Sequence, residues 1–393
     1  MTAPPASGGV AAGKRGAGAG ARRAALLAAL VAAVLVYAFL RAESERVLAA
    51  VLVAAVAAAL LARRTGILAV PAAAGSAERT TGVALTVATA VVVLLLHDDH
   101  FSLLLLARVL LTIVACLGLH LQLGMAGVAN FAAAAFFGVG GYTAAVLAAH
   151  GVPHLLVLAA SGVAAALIGS VLLLPLLRTR GHYAALVTIA FGLLFRTFVE
   201  VNDALGGPQG LKLAGLELLG WRLDTASIGG LDVSLYAWYV VAAYALLAVS
   251  FALVRRLETS WVGLALDAVR LDETAAACFG IDVPRWKIAA FTLGNFITGV
   301  AGGLSAMMVG FIAPNNFTFR ESLVFVSIVL LGGLGNLWGV VVASFVVVAL
   351  PEKLQGIQEY RFLLFSVLVI LVLIFRPGGL VPRGVRRHFG AAA

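Results

Sequence analysis

Between two long apolar runs the chain carries TSWVGLALDAVRLDETAAACFGIDVPRWK, from Thr259 to Lys287. Leu264, Ala268, Leu271 and Ala275 recur at helical spacing, and Asp267, Arg270, Asp272 and Glu273 supply charge among them. The stretch reads as a short amphipathic helix flanked by loops. Almost everything around it is built for lipid, so this polar island is expected at the membrane surface. Arg255, Arg256, Arg270, Arg285 and Lys287 in and beside it place it on the cytoplasmic side. A bilayer protein that keeps such a helix there is expected to meet a soluble partner.

Composition supports that setting. Of 393 residues, 62% are hydrophobic and 11% charged, against about 25% charged in soluble domains. A single soluble core is therefore excluded. The net charge of +9 does not point to nucleic acid, because the basic residues sit in short loops and at the termini, where topology and anionic headgroups account for them. Cys116 falls in an apolar run and Cys278 on the island, so the two are not expected to pair, and neither has a metal-ligand neighbour.

Apolar runs fall near 24–40, 47–62, 81–96, 101–119, 125–149, 155–177, 183–200, 234–254, 288–312, 322–350 and 361–375. The expected fold is all-α: a polytopic transmembrane helical bundle of about ten or eleven membrane segments. Residues 1–23 read as a disordered, basic cytoplasmic tail, 24–80 as accessory membrane segments with a linker, 81–385 as the main membrane domain, and 386–393 as a second cytoplasmic tail. With the first tail inside, the Arg63–Arg79 linker and Arg178–Thr179–Arg180 fall inside, while the Lys- and Arg-free loops at His97–His100 and His150–His154 fall outside. A single span over 322–350 would put the basic carboxyl-terminal tail outside. GGLGNLWG, Gly332–Gly339, therefore reads as a break that divides this run into two embedded pieces.

Chemistry-bearing motifs are sparse. In GLHLQLGMAGVANFAAAAFFGVGGYTAAVL, Gly118–Leu147, the polar Gln122, Asn130, Tyr142 and Thr143 fit a pathway-lining helix, and the glycines fit close helix packing. Arg196 and Glu200 are four apart and able to pair at a span end. Thr318 and Glu321 in FIAPNNFTFRES form a capping-box pattern in a loop expected outside. His97-Asp98-Asp99-His100 is too local to converge on one ion, and GGVAAGK at Gly8–Lys14 lacks the Ser or Thr and the strand of a phosphate loop. No catalytic constellation stands out, so neither an enzyme nor a nucleotide-binding chain is expected. The central spans carry no Asp or Glu away from their ends, which argues against an ion-coupled secondary transporter.

Taken together, LQLGMAGVANFAAAAFFGVGGYTAA (Leu121–Ala145), LRTRGHYAALVTIAFG (Leu177–Gly192), GGPQGL (Gly206–Leu211), the island through Phe291, AGGLSAMMVGFIAPNNFTF (Ala301–Phe319), VLLGGLGNLWG (Val329–Gly339) and FRPGGLVP (Phe375–Pro382) resemble one family. It is the M-type permease subunit of branched-chain amino acid ABC importers, and the resemblance covers roughly residues 90–385. It implies a multi-pass protein of the cell inner or plasma membrane, with its amino terminus cytoplasmic. The implied partners are a second permease subunit, two ABC ATPase subunits and an extracytoplasmic substrate-binding protein. ATP would be used by the partner subunits, with no cofactor bound by this chain. The implied cargo is a branched-chain amino acid; urea, short amides and other amino acids are carried by related systems.

The resemblance gives the island a role as the cytoplasmic coupling helix that docks on the ATPase. The family's EAA-plus-glycine pattern falls on Thr274-Ala275-Ala276 with Gly280 four residues on, and Thr274 replaces the expected acid. Leu264, Asp267, Arg270, Asp272, Glu273, Thr274, Ala275, Ala276 and Gly280 are thus expected to carry coupling along one helix from Leu264 to Gly280. Polarity nominates Gln122, Asn130, Tyr142, Thr188 and Asn295 to line or support the translocation path.

Overall fold

A computed structural model describes most of residues 26–58, then 75–178, 182–218, 221–222, 226–228 and 231–353, and parts of 363–381. The tails expected over 1–23 and 386–393, the phosphate-loop-like stretch at 8–14 and most of the 63–79 linker lie outside the described residues.

The chain divides into two compact units, Met1–Leu103 and Leu104–Ala393. The first holds a short apolar helix, Ala29–Arg41, and α1, Gly75–Leu95. Within it the Ser102 hydroxyl donates to the Leu40 carbonyl at 3.1 Å. The Asp99 carboxylate accepts from the Ser102 amide at 3.0 Å, so this acid of the His97–His100 loop caps the helix that follows.

That helix, α2, runs from His100 to Leu119 and continues as a π-helical turn over His120–Met125. After a break come α3, Ala133–Ala149, α4, His154–Arg178, and α5, His182–Val201. An extended loop with short hairpins leads to α6, Leu235–Glu258. The island follows as α7, Trp261–Leu271, and α8, Glu273–Cys278. The long α9, Val283–Val309, and the shorter α10, Phe319–Gly332, and α11, Leu337–Lys353, complete the described helices.

Among the described residues four helices are long and apolar enough to cross a bilayer: His100–Met125, His154–Leu174, Leu235–Glu258 and Val283–Val309. Ala185–Val201 with Asp203–Gln209, bent by 91°, forms a fifth if taken as one span. Fewer full-length spans are thus described than the ten or eleven segments expected. The remainder are shorter apolar helices, such as Ala133–Ala149, or fall partly outside the described residues.

The core of the second unit is α9 packed between α3 and α4. Contact is closest where side chains are missing. A Cβ on Gly140 would overlap the Gly299 carbonyl, and one on Gly302 would overlap the Phe137 carbonyl. Small residues let these backbones meet, as helix association in lipid requires. At one end of α9 the strands Leu211–Lys212 and Phe311–Ile312 pair antiparallel. Beside them Tyr239 takes the Leu216 amide at 2.7 Å and donates to the Met307 carbonyl at 3.0 Å.

The break expected within 322–350 is a turn at 333–336 between α10 and α11. Gly332 and Gly339 meet backbone to backbone across it. The two helices have 14 and 17 residues, about 21 and 26 Å at 1.5 Å per residue, each shorter than a hydrocarbon core of about 30 Å. The carboxyl-terminal segment lies over the turn: Leu380 N donates to Leu331 O at 2.8 Å and Val381 N to Gly332 O at 3.3 Å. Residues 380–381 thus sit against the turn that divides the 322–350 run into two helices.

Candidate functional site

The island is two helices, not the single Leu264–Gly280 helix expected from its periodicity. At Asp272 the backbone is extended, with φ −157° and ψ 108°. Its carboxylate accepts from the Thr274 amide at 2.9 Å and the Ala275 amide at 3.0 Å. An aspartate that satisfies the free amides of a helix start competes with continuation of the helix before it. Asp272 thus acts as the cap that sets the bend. Gly280 ends the second helix at φ 79° with open space around it, a left-handed turn that favours glycine.

Two contacts and a tight entry turn fasten this pair of helices to the spans. At the entry a Cβ on Gly263 would meet the Glu258 carbonyl, at the end of α6 where Arg255 pairs with the buried Glu258 at 3.0 Å within that helix. At its exit Lys287 on α9 holds Glu273 at 2.6 Å. In the middle the stem of Arg270 packs on Gly127, which has φ 71°. Asp267, expected as surface charge, is buried, with Arg270 at 4.0 Å.

The outward surface is mixed. Thr274, Ala275 and Gly280 are exposed and Ala276 is buried against the protein. Leu264 is also exposed, and Leu271 and Phe279 are 76% and 88% exposed. Apolar side chains this bare on a charged surface suit a partner rather than solvent.

Gly127 lies between Gln122 and Asn130, and these join the island to a buried amide cluster. Gln122 Nε2 donates to Asn295 Oδ1 at 2.8 Å and to the Phe291 carbonyl at 3.1 Å. Asn130 Nδ2 donates to Gln122 Oε1 at 2.8 Å, and Asn130 Oδ1 accepts from Ala132 N at 2.9 Å. Thr188 stands alongside, its hydroxyl accepting from Phe131 N at 3.1 Å. All four polar side chains are buried. The Asn295 Nδ2 group finds no acceptor among the described residues.

The π-helical turn helps build this cluster. Ala126 N bonds to Leu121 O, five residues back, at 3.2 Å, and Val128 N to Gln122 O at 2.9 Å. The widened turn releases the chain at 126–132, which carries Asn130 back toward Gln122. Such turns are frequent at functional sites.

Of the five nominated path residues, Gln122, Asn130, Thr188 and Asn295 come together. Tyr142 sits apart, in an aromatic cluster with Phe195 and Phe317 at ring distances of 6.3 and 6.0 Å. Nearby, Arg196 spans Glu200 at 3.9 Å and Asn315 at 3.2 Å. Thr318 caps α10, accepting from Glu321 N at 3.4 Å.

Sequence reasoning did not anticipate Gly127 as the island's seat, the Glu273–Lys287 pair or the exposure of Phe279. Only the aspartate before Glu273-Thr274 signalled the cap.

Residues 100–375 match the family described as branched-chain amino acid transport system, permease component. The chain is 33% identical over 290 residues to the high-affinity branched-chain amino acid transport system permease protein LivM of Escherichia coli (strain K12), covering 69% of this chain and 67% of that protein. It is likewise 33% identical over 288 residues to LivM of Salmonella typhimurium, covering 69% and 67%. A more distant likeness is the LivH permease protein of the same Escherichia coli system, 24% identical over 288 residues, covering 68% of this chain and 90% of that protein. No solved structure gives a significant match.

Proposed function

Because this multi-pass membrane chain belongs to the family of permease components of branched-chain amino acid transport systems, we propose that it carries leucine, isoleucine or valine inward as one of two permeases in an ATP-driven importer. In this reading its amino terminus and island face the cytoplasm. ATP is bound and hydrolysed by two separate ATPase subunits, and a soluble binding protein delivers substrate on the other face. A LivH-like second permease completes the path, and this chain supplies passage rather than catalysis.

One observation carries the mechanism: the stem of Arg270 rests on Gly127, next to the Gln122–Asn130–Asn295 cluster. Asp272, Thr274, Ala275, Gly280, Leu264 and Phe279 present the surface that meets the ATPase. Glu273, bound to Lys287, ties the second helix to α9. A push on the island is then delivered at Gly127 and at the base of α9, the two segments that the amides join. Rearranging those amides opens or closes the inner part of the path, and the open donor of Asn295 is available to a polar substrate group in passing. Alternating access follows from rocking of the two permeases with each ATP cycle.

The test is co-purification and ATPase activity in nanodiscs with the candidate ATPases and second permease supplied. Ala275→Trp places bulk on an exposed helical position, so the chain is expected to fold while ATPase binding is lost. A wild-type chain that transports without any ATPase would overturn the reading.

A further inference from the structure

Along the α4–α9 pair runs a shallow groove of about 460 Å³, walled by Ala166 of α4 and by Ile288, Ala289, Thr292 and Phe296 of α9. At its mouth stands Arg285. These α9 residues follow one stripe, and the 11 steps along the helix from Arg285 to Phe296 rise about 16 Å at 1.5 Å each. That is close to the depth of one leaflet, half of a hydrocarbon core of about 30 Å.

Two independent features set the mouth at headgroup level. Arg285 follows the island directly, on the side that the basic loops assign to the cytoplasm. Its neighbour Trp286 stacks edge-on with Trp261 at 5.2 Å, and tryptophan is enriched at membrane–water interfaces. Arg285 is exposed, and no carboxylate pairs with its guanidinium among the described residues. Glu273 is engaged by Lys287, and Asp282 accepts from the Arg285 backbone amide at 3.2 Å. Of the groove-lining side chains, the Thr292 hydroxyl is already satisfied by Ser170 at 2.7 Å.

We propose that this groove holds an anionic phospholipid of the cytoplasmic leaflet. Its phosphate meets Arg285 and one acyl chain lies along Ile288, Ala289, Thr292 and Phe296. An exposed cation above an apolar, leaflet-deep channel complements a lipid in both charge and length. A helix of another subunit would match the apolar wall but leave the cation without a counter-charge. The site lies beside the exit of the island, so the bound lipid braces the end of α9 that Lys287 ties to Glu273.

The test is lipid retention by the intact chain, extracted from bilayers of equal phosphatidylglycerol and phosphatidylcholine and weighed by native mass spectrometry. The wild type is expected to keep phosphatidylglycerol about fivefold over phosphatidylcholine, the effect of one basic residue near an anionic surface. Arg285→Gln is expected to lose that preference while still retaining a lipid. Ala289→Trp fills the groove from an exposed position and is expected to lose the lipid itself. Equal retention of both lipids by the wild type, or an unchanged preference in Arg285→Gln, overturns the proposal. A thiol cross-link from Ala289→Cys to a co-expressed second permease would assign the groove to that subunit and overturn it as well.

Discussion

A Cβ placed on Gly302 would fall on the carbonyl of Phe137, a backbone atom that no rotamer change can move aside. Gly302→Ala is therefore expected to push α3 from α9 and to cost about 1–3 kcal/mol, the usual range for overpacking. Gly82→Ala serves as control, because nothing lies within 4 Å of its Cβ position. Thermal melts of the purified chain in detergent should fall for the first and hold or rise for the second. Equal melts would mean that the α3–α9 contact is not tight in the membrane. The amides make a related point. Asn130→Ala would strip partners from both Gln122 Oε1 and Ala132 N, and each buried polar group left alone costs about 1–3 kcal/mol. A melt that stays at the wild-type temperature would refute the view that these amides hold the inner part of the path together.

At the scale of elements the bend at Asp272 matters most. Asp272→Ala removes the acceptor for two amides and is expected to cost the short second helix about 1 kcal/mol. Asp272→Ser retains a capping oxygen and is expected to recover most of it. Overall melting should barely change in either variant, while ATP hydrolysis by the assembled complex drops in the alanine variant and returns in the serine variant. An alanine variant as active as wild type would show that a preformed second helix is not needed for docking. Periodicity across 264–275 had suggested one continuous helix. That inference failed because spacing records which side chains share a face, whereas a cap competes for backbone amides at a single residue.

In the whole molecule Leu380 and Val381 bond to the end of α10 at the α10–α11 turn, and the proposed topology puts that turn on the cytoplasmic side. This arrangement has a chemical handle. Cys278 is exposed and Cys116 buried, so a membrane-impermeant maleimide should modify the natural chain at Cys278 alone, from the cytoplasmic face. In a Cys278→Ser background, Leu334→Cys on the turn should be modified from that same face. Labelling of Leu334→Cys from the opposite face would place the hairpin the other way round.

Much of this protein was legible in its residues taken in order. Apolar runs marked the helices, because a chain in lipid must satisfy its backbone internally. Charge marked the island, and the glycines of 332–339 marked a break. Family membership was legible too, since it rests on blocks of residues and their spacing. What only the tertiary structure decided were the contacts between distant segments. Gln122 and Asn295 are 173 positions apart, and polarity alone grouped them with Tyr142, which packs elsewhere. Arg270 meets Gly127, and Lys287 meets Glu273, because helix packing brings those backbones together. Linear order carries local preference and transfer energy; which surfaces meet depends on how close the small residues of α3, α4 and α9 allow those helices to come.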